Sequence, residues 1–195
     1  MYLFEDQKFF LSVLRQTDFI RPDQALPLLR LFDPRKTQGQ TEALIRQLRY
    51  AGELAFSGQL LCSPEMLKKQ PDPEMLEALD ILLALSGRRL LEVSRNPPCK
   101  LSFLLQRGED WIDSYAVMIV RQGYEREASL LLNQLAPETT LLLRLDDLGQ
   151  HGALTVRQSC YFVVRQAGKL PRTDRLPPQQ RPSKTEFLPW LSKPP

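Results

Sequence analysis

TQGQTEALIRQLRYAGELAFSGQLLC, residues 37–62, carries its local signals in a fixed order. Thr37, with Gln40 three residues on, makes a capping-box pattern at a helix start. Thr41, Leu44, Ile45 and Leu48 then recur at helical spacing, so a single stripe faces inward. Gly52 supplies a helix stop. Beyond it, Glu53-Leu54-Ala55-Phe56 and Gln59-Leu60-Leu61-Cys62 are short strand-compatible runs around the tight-turn pair Ser57-Gly58. A capped helix therefore runs through a glycine into a hairpin.

Two more helices are expected upstream. Glu5 to Gln16 puts Phe9, Phe10, Val13 and Leu14 on one stripe, and Thr17-Asp18 ends it. Pro22 with Asp23 opens the next, whose Ala25, Leu28, Leu29 and Phe32 repeat at helical spacing before Asp33-Pro34. Helix–helix–helix–hairpin is the element order of winged helix–turn–helix proteins, and residues 5–63 resemble that family. Leu44 to Leu54 resembles the junction where a recognition helix enters the wing, a pattern like L-x-x-L-x-x-x-G-x-L. The resemblance implies a module that binds double-stranded DNA through its third helix. The reading face opposite Leu44, Ile45 and Leu48 then carries Gly39, Ala43, Arg46 and Tyr50, with Lys36, Gln38, Gln47 and Arg49 beside it. Gly39 and Ala43 would allow close approach, Arg46 and Gln47 suit base edges, and Lys36 and Arg49 suit phosphates. The DNA-contact set is accordingly Lys36, Gln38, Arg46, Gln47, Arg49 and Tyr50.

Lys68-Lys69-Gln70-Pro71-Asp72-Pro73 breaks all periodicity and marks a boundary, so residues 1–66 and 70–168 are expected as separate units. Asp72, Pro73 and Glu74 read as N-cap, first-turn proline and dipole-favourable acid. A helix is expected from Pro73 to Leu85, strands at Leu90–Val93, Lys100–Gln106 and Trp111–Val120, a helix at Tyr124–Leu135, and strands at Thr140–Leu145 and Tyr161–Val164. That order means an α/β unit with a mixed sheet, and the whole chain is α+β. It resembles the restriction-endonuclease-like core, which implies an acid on one strand and an acid-x-lysine pair on the next, holding a divalent ion. Asp113 is the candidate first acid, but Met118, Ile119, Val120 and Arg121 supply neither acid nor lysine where the pair belongs. Asp146-Asp147, just past a strand, reads as a solvated loop pair. A divergent metal-dependent nuclease is thus the third-ranked reading.

Other chemistry is poorly supported. The glycines form neither a Walker loop nor G-x-G-x-x-G, and no G-x-S-x-G elbow occurs. His151 is the one histidine and sits in a turn; Cys62, Cys99 and Cys160 are odd in number and widely spaced. No enzyme activity, cofactor or metal is expected. Trp111 and Tyr115 alternate on one strand face and read as sheet packing. Apolar runs are too short for a bilayer span, so no membrane association is expected. The acidic start MYLFEDQKFF lacks a signal-peptide pattern, which gives a cytoplasmic expectation.

The net charge of +3 is unevenly distributed. Residues 1–66 carry eight basic and eight acidic side chains, while residues 165–195 carry seven basic and two acidic. The tail from 169 to 195 is dense in proline, which blocks regular structure, and holds one apolar cluster, Phe187, Leu188, Trp190 and Leu191 around Pro189. That cluster suits docking on the body or a protein partner. Winged helix, α/β unit and basic tail together resemble the replication-relaxation type proteins of bacterial plasmids and conjugative elements. More distantly, the chain is similar to winged-helix antitoxins and regulators with an inactive nuclease-like second domain. These resemblances imply a DNA-binding accessory or regulatory protein of a mobile element, acting in replication, transfer or transcription, with a homodimer as a candidate assembly. The alternative is a protein-interaction module that uses the winged helix and the tail.

Overall fold

The computed structural model describes residues 2–85 and 87–164; the tail, with Phe187, Leu188, Trp190 and Leu191, lies outside them. The chain is α+β. Its first part comprises α1 (Glu5–Thr17), β1 (Phe19–Ile20), α2 (Pro22–Phe32), α3 (Gln38–Tyr50), β2 (Ala55–Ser57) and β3 (Leu60–Cys62). α3 starts as its sequence dictates: the Thr37 hydroxyl accepts from the Gln40 amide at 3.4 Å, and the Gln40 side chain accepts from the Thr37 amide at 3.0 Å. It stops at Gly52, whose φ of +75° lets the Glu53 amide donate back to the Leu48 carbonyl at 3.0 Å. That reversal delivers Leu54 into the core. Gly58, at φ +60°, turns β2 into β3.

β1 is absent from the sequence reading. Phe19 and Ile20 pair antiparallel with Cys62 and Leu61, making a three-stranded sheet in the order β1-β3-β2. Two residues are too few to show a period, so only the tertiary pairing defines this strand.

The second part opens with α4 (Pro73–Ala84), capped by the Asp72 carboxylate accepting from the Glu74 amide at 2.9 Å. β4 (Arg89–Asn96), β5 (Cys99–Arg107), β6 (Trp111–Val120), α5 (Glu125–Leu132), β7 (Thr140–Leu145) and β8 (Cys160–Val164) follow. The sheet order is β4-β5-β6-β7-β8, with an antiparallel meander over β4, β5 and β6 and parallel pairs β6/β7 and β7/β8. The connection carrying α5 makes the switch to parallel pairing possible. α5 is shorter than the helix expected over Tyr124–Leu135, because the chain tightens into successive turns at Leu131–Gln134 and Leu132–Leu135. β4 runs further than expected, with register shifts between Leu90 and Glu92 and between Ser94 and Asn96.

Alternation along the strands divides the core. Leu101, Phe103 and Leu105 of β5 and Tyr115, Val117 and Ile119 of β6 face α4. Ala116 and Val120 of β6, with Leu141, Leu143 and Leu145 of β7, face Ala128 and Leu132 of α5. The first of these clusters does not end at α4: it continues through Leu79 and Leu82 to Phe10, Leu14, Leu28, Leu29, Leu48 and Leu61. Polar contacts reinforce the join. The Gln24 amide donates to the Leu76 carbonyl at 3.1 Å and to Asp80 at 2.7 Å, Arg21 pairs with Asp80, and Arg95 pairs with Asp18.

Because Leu79 is fully buried at the centre of this shared cluster, Leu79→Ala is expected to cost about 2–5 kcal/mol. Tryptophan emission and far-ultraviolet circular dichroism should then report one coincident, lowered melting transition. Two separated transitions would show that the halves unfold independently.

Candidate functional site

α3 is the most lightly anchored helix of the first part: Thr41, Leu44 and Leu48 are its buried residues, Ile45 is half-buried against the same core, and the rest of its surface is open. The sequence-derived contact residues divide on inspection. Lys36 is drawn to the helix bundle, its ammonium 2.6 Å from the Asp6 carboxylate with both side chains mostly covered. Gln47 accepts from the Gln7 side chain at 2.9 Å, and Gln38 donates to Glu42 at 2.8 Å. These three are engaged within the protein. Arg46, Arg49 and Tyr50 remain exposed together at the carboxyl end of α3. Among the described residues neither arginine has an acidic partner within salt-bridge distance. Instead the Arg49 guanidinium lies 4.9 Å from the ring centroid of Phe56 on β2.

Between this end of α3 and β2 lies a cleft of about 460 Å³, bordered by Arg46, Arg49, Tyr50, Phe56 and Leu67. Phe56 and Leu67 were missing from the sequence-derived set. Phe56 reads there as one residue of a wing strand, and nothing in the spacing signals that it ends up beside Arg49.

A second cluster gathers at the carboxyl ends of β6 and β7. Lys100 bridges Asp72 and Glu74 at 2.9 and 2.8 Å, and Arg121 reaches the same Glu74 at 2.7 Å. Arg144, almost fully buried, joins Glu77 at 3.0 Å to Asp146. Every cation here faces acids, so the cluster ties α4 to the sheet ends and offers little net charge to a ligand. Burial works to raise the Glu74 carboxyl, and Lys100 and Arg121 outweigh it, holding Glu74 below its ordinary value. Burial likewise works to raise the Asp146 carboxyl, and Arg144 with the Gln122 amide outweighs it, holding Asp146 below its ordinary value.

The acids considered for metal chemistry are not brought together. Asp113 is paired with Arg88 at 3.0 Å and accepts from the Trp111 indole at 2.8 Å. Asp146 follows β7 beyond Leu145, the partner of Val120, so seven residues of β6, roughly 23 Å of strand, separate the two levels. Among the described residues no group of three or more His, Cys, Asp or Glu side chains is arranged to hold a metal ion. His151 packs edge-on against Phe162 at 4.8 Å. Burial pushes the Cys99 and Cys160 thiols up to about 11, which removes them as nucleophiles at neutral pH. Trp111 is exposed on the sheet rather than packed in it, while Tyr115 is buried and stacks on Phe103. Among the described residues no helix is long and apolar enough to cross a membrane. No family model, curated protein or solved structure matches the chain.

The ion cluster has a pH signature. Glu74 and Asp146 titrate lower in the folded chain than unfolded, so their contribution is complete above the unfolded values and is lost as pH falls through the folded ones. The melting temperature is therefore expected to drop as pH falls below about 4.5, and Glu74→Gln should flatten that drop while lowering stability at neutral pH. Calorimetry across the acid range measures both; an unchanged acid limb in the variant would remove Glu74 from the account.

Proposed function

We propose that the chain is a DNA-binding accessory or regulatory protein, with residues 1–66 acting as a winged helix–turn–helix. In this reading α3 is the recognition helix and β2–β3 the wing. One observation carries it: Arg46 and Arg49 stand exposed at the end of α3 with no acidic partner among the described residues, although most other cations nearby are paired. An unpaired guanidinium pair on a lightly anchored helix suits phosphates and base edges. The three helices and the antiparallel β1-β3-β2 sheet support the same reading.

The working contact set narrows to Arg46, Arg49 and Tyr50, with Gln38 and Gln47 available on rearrangement of their internal bonds. Lys36 acts instead as a brace to Asp6. Residues 1–66 are electrically neutral, so a homodimer or the basic segment 165–195 supplies the remaining attraction to double-stranded DNA. Resemblance to replication-relaxation type proteins suggests a role in replication, transfer or transcription of a mobile element. Binding rather than catalysis is supported by the separation of Asp113 from Asp146.

Fluorescence anisotropy with duplex DNA from upstream of the chain's own gene, across a salt series, tests the proposal. Affinity is expected to fall with salt, and Arg46→Ala and Arg49→Ala should each weaken binding and reduce the salt slope by about one. Lys36→Ala should leave the slope unchanged. Absence of salt-dependent binding, or arginine variants that bind like the parent, would overturn it.

A further inference from the structure

The cleft at the end of α3 is chemically mixed in a way that groove binding does not require. Its cations can meet phosphates, but its border also exposes Tyr50 at 87%, Leu67 at 47% and Phe56 at 39% of their surface. An intact duplex presents phosphates along its outside and base edges in its grooves, while its base faces are stacked out of reach. Two aromatic rings and a leucine held beside a groove therefore gain little from an intact duplex. A base that has left the stack does present a flat face, and aromatic side chains and guanidinium planes are the groups that take it.

The geometry is suited to that ligand. Arg49 lies over Phe56, leaving a cation and a ring in one surface at the mouth of the cleft. Phe56 also borders a second hollow of about 540 Å³, together with Gly58 and Leu60. Its position on β2, one residue before the Gly58-Gln59 turn, puts an apolar edge near the tip of the hairpin. Arg46 and Arg49 supply the charge complement to the phosphates on either side of such a base, and among the described residues no acid neutralises them.

We infer that the cleft bounded by Arg46, Arg49, Tyr50, Phe56 and Leu67 receives an unpaired nucleotide base, so that the chain grips DNA where duplex gives way to single strand. This rests on the DNA-binding reading and names its substrate class: a junction or frayed end in place of an uninterrupted duplex.

The test uses the full chain and three fluorescently labelled DNAs of equal length and mixed sequence: a blunt duplex, the same duplex with a single-stranded arm, and a single strand. The armed duplex is expected to bind roughly tenfold tighter than the blunt one. Phe56→Ala should erase most of that preference while leaving blunt-duplex affinity near the parent's, and Phe56→Trp should restore it; Tyr50→Ala should weaken the armed duplex more than the blunt one and so erase most of the preference as well. Both positions are exposed, and circular dichroism melting verifies that the variants fold. Equal affinity for blunt and armed DNA overturns the inference and leaves the proposed function standing. A preference that survives both alanine variants also overturns it. Failure to bind any of the three DNAs overturns the inference and the proposed function together.

Discussion

α4 is an apolar helix that has to be buried on more than one side, and the architecture follows from how that burial is achieved. Met75, Ala78, Leu79, Ile81 and Leu82 are all buried, a spread too wide for one contact face. The sheet covers part of this surface through Leu101, Leu105 and Val117; α1 and α2 cover the remainder through residues such as Phe10, Leu14 and Leu28. A unit consisting of the sheet and α4 alone would leave apolar surface in water. So would the three-helix part without α4. The shared cluster is what makes the two parts one packed body, and it fixes which surfaces are left over.

What is left over is functionally telling. α2 packs on α4 and α1 on β4, whereas α3 makes its main helix contact with α2. At its carboxyl end the outward residues Arg46, Arg49 and Tyr50 border the hairpin that follows and Leu67. The acids and cations of the opposite region behave differently: Glu74, Lys100, Arg121, Glu77, Arg144 and Asp146 satisfy one another. Charge in this cluster is thus consumed internally, whereas charge at the end of α3 is available to something outside. This contrast, more than net charge, is the reason to look for a ligand at α3.

Much of the architecture was legible because its signals are local. The Thr37–Gln40 box, the stop at Gly52, the Asp72 cap and the period-two alternation of β5 and β6 each act within a few residues. β1 was illegible because its strand character exists only through Cys62 and Leu61, some forty positions away. The site was half legible. Helical phase correctly put Arg46, Arg49 and Tyr50 on an exposed face, but phase cannot say that Lys36 meets Asp6 or that Gln47 meets Gln7. Those pairings depend on how α1 crosses α3. Phe56 and Leu67 join the cleft for the same reason: three separate segments meet there, and no sequence spacing encodes the meeting.

The irregular register of β4 has a consequence for how copies of this chain can meet. A straight edge strand offers a row of unpaired amides and carbonyls, which invites another strand to extend the sheet. Here the shifts after Leu90 and after Ser94 break that row into short pieces, and Arg89, Glu92 and Arg95 add exposed charge along it. An incoming strand would find no uninterrupted run of partners to copy. At this edge the fold is therefore self-limiting: it discourages open-ended stacking into fibres and leaves self-association, where it occurs, to side-chain surfaces elsewhere.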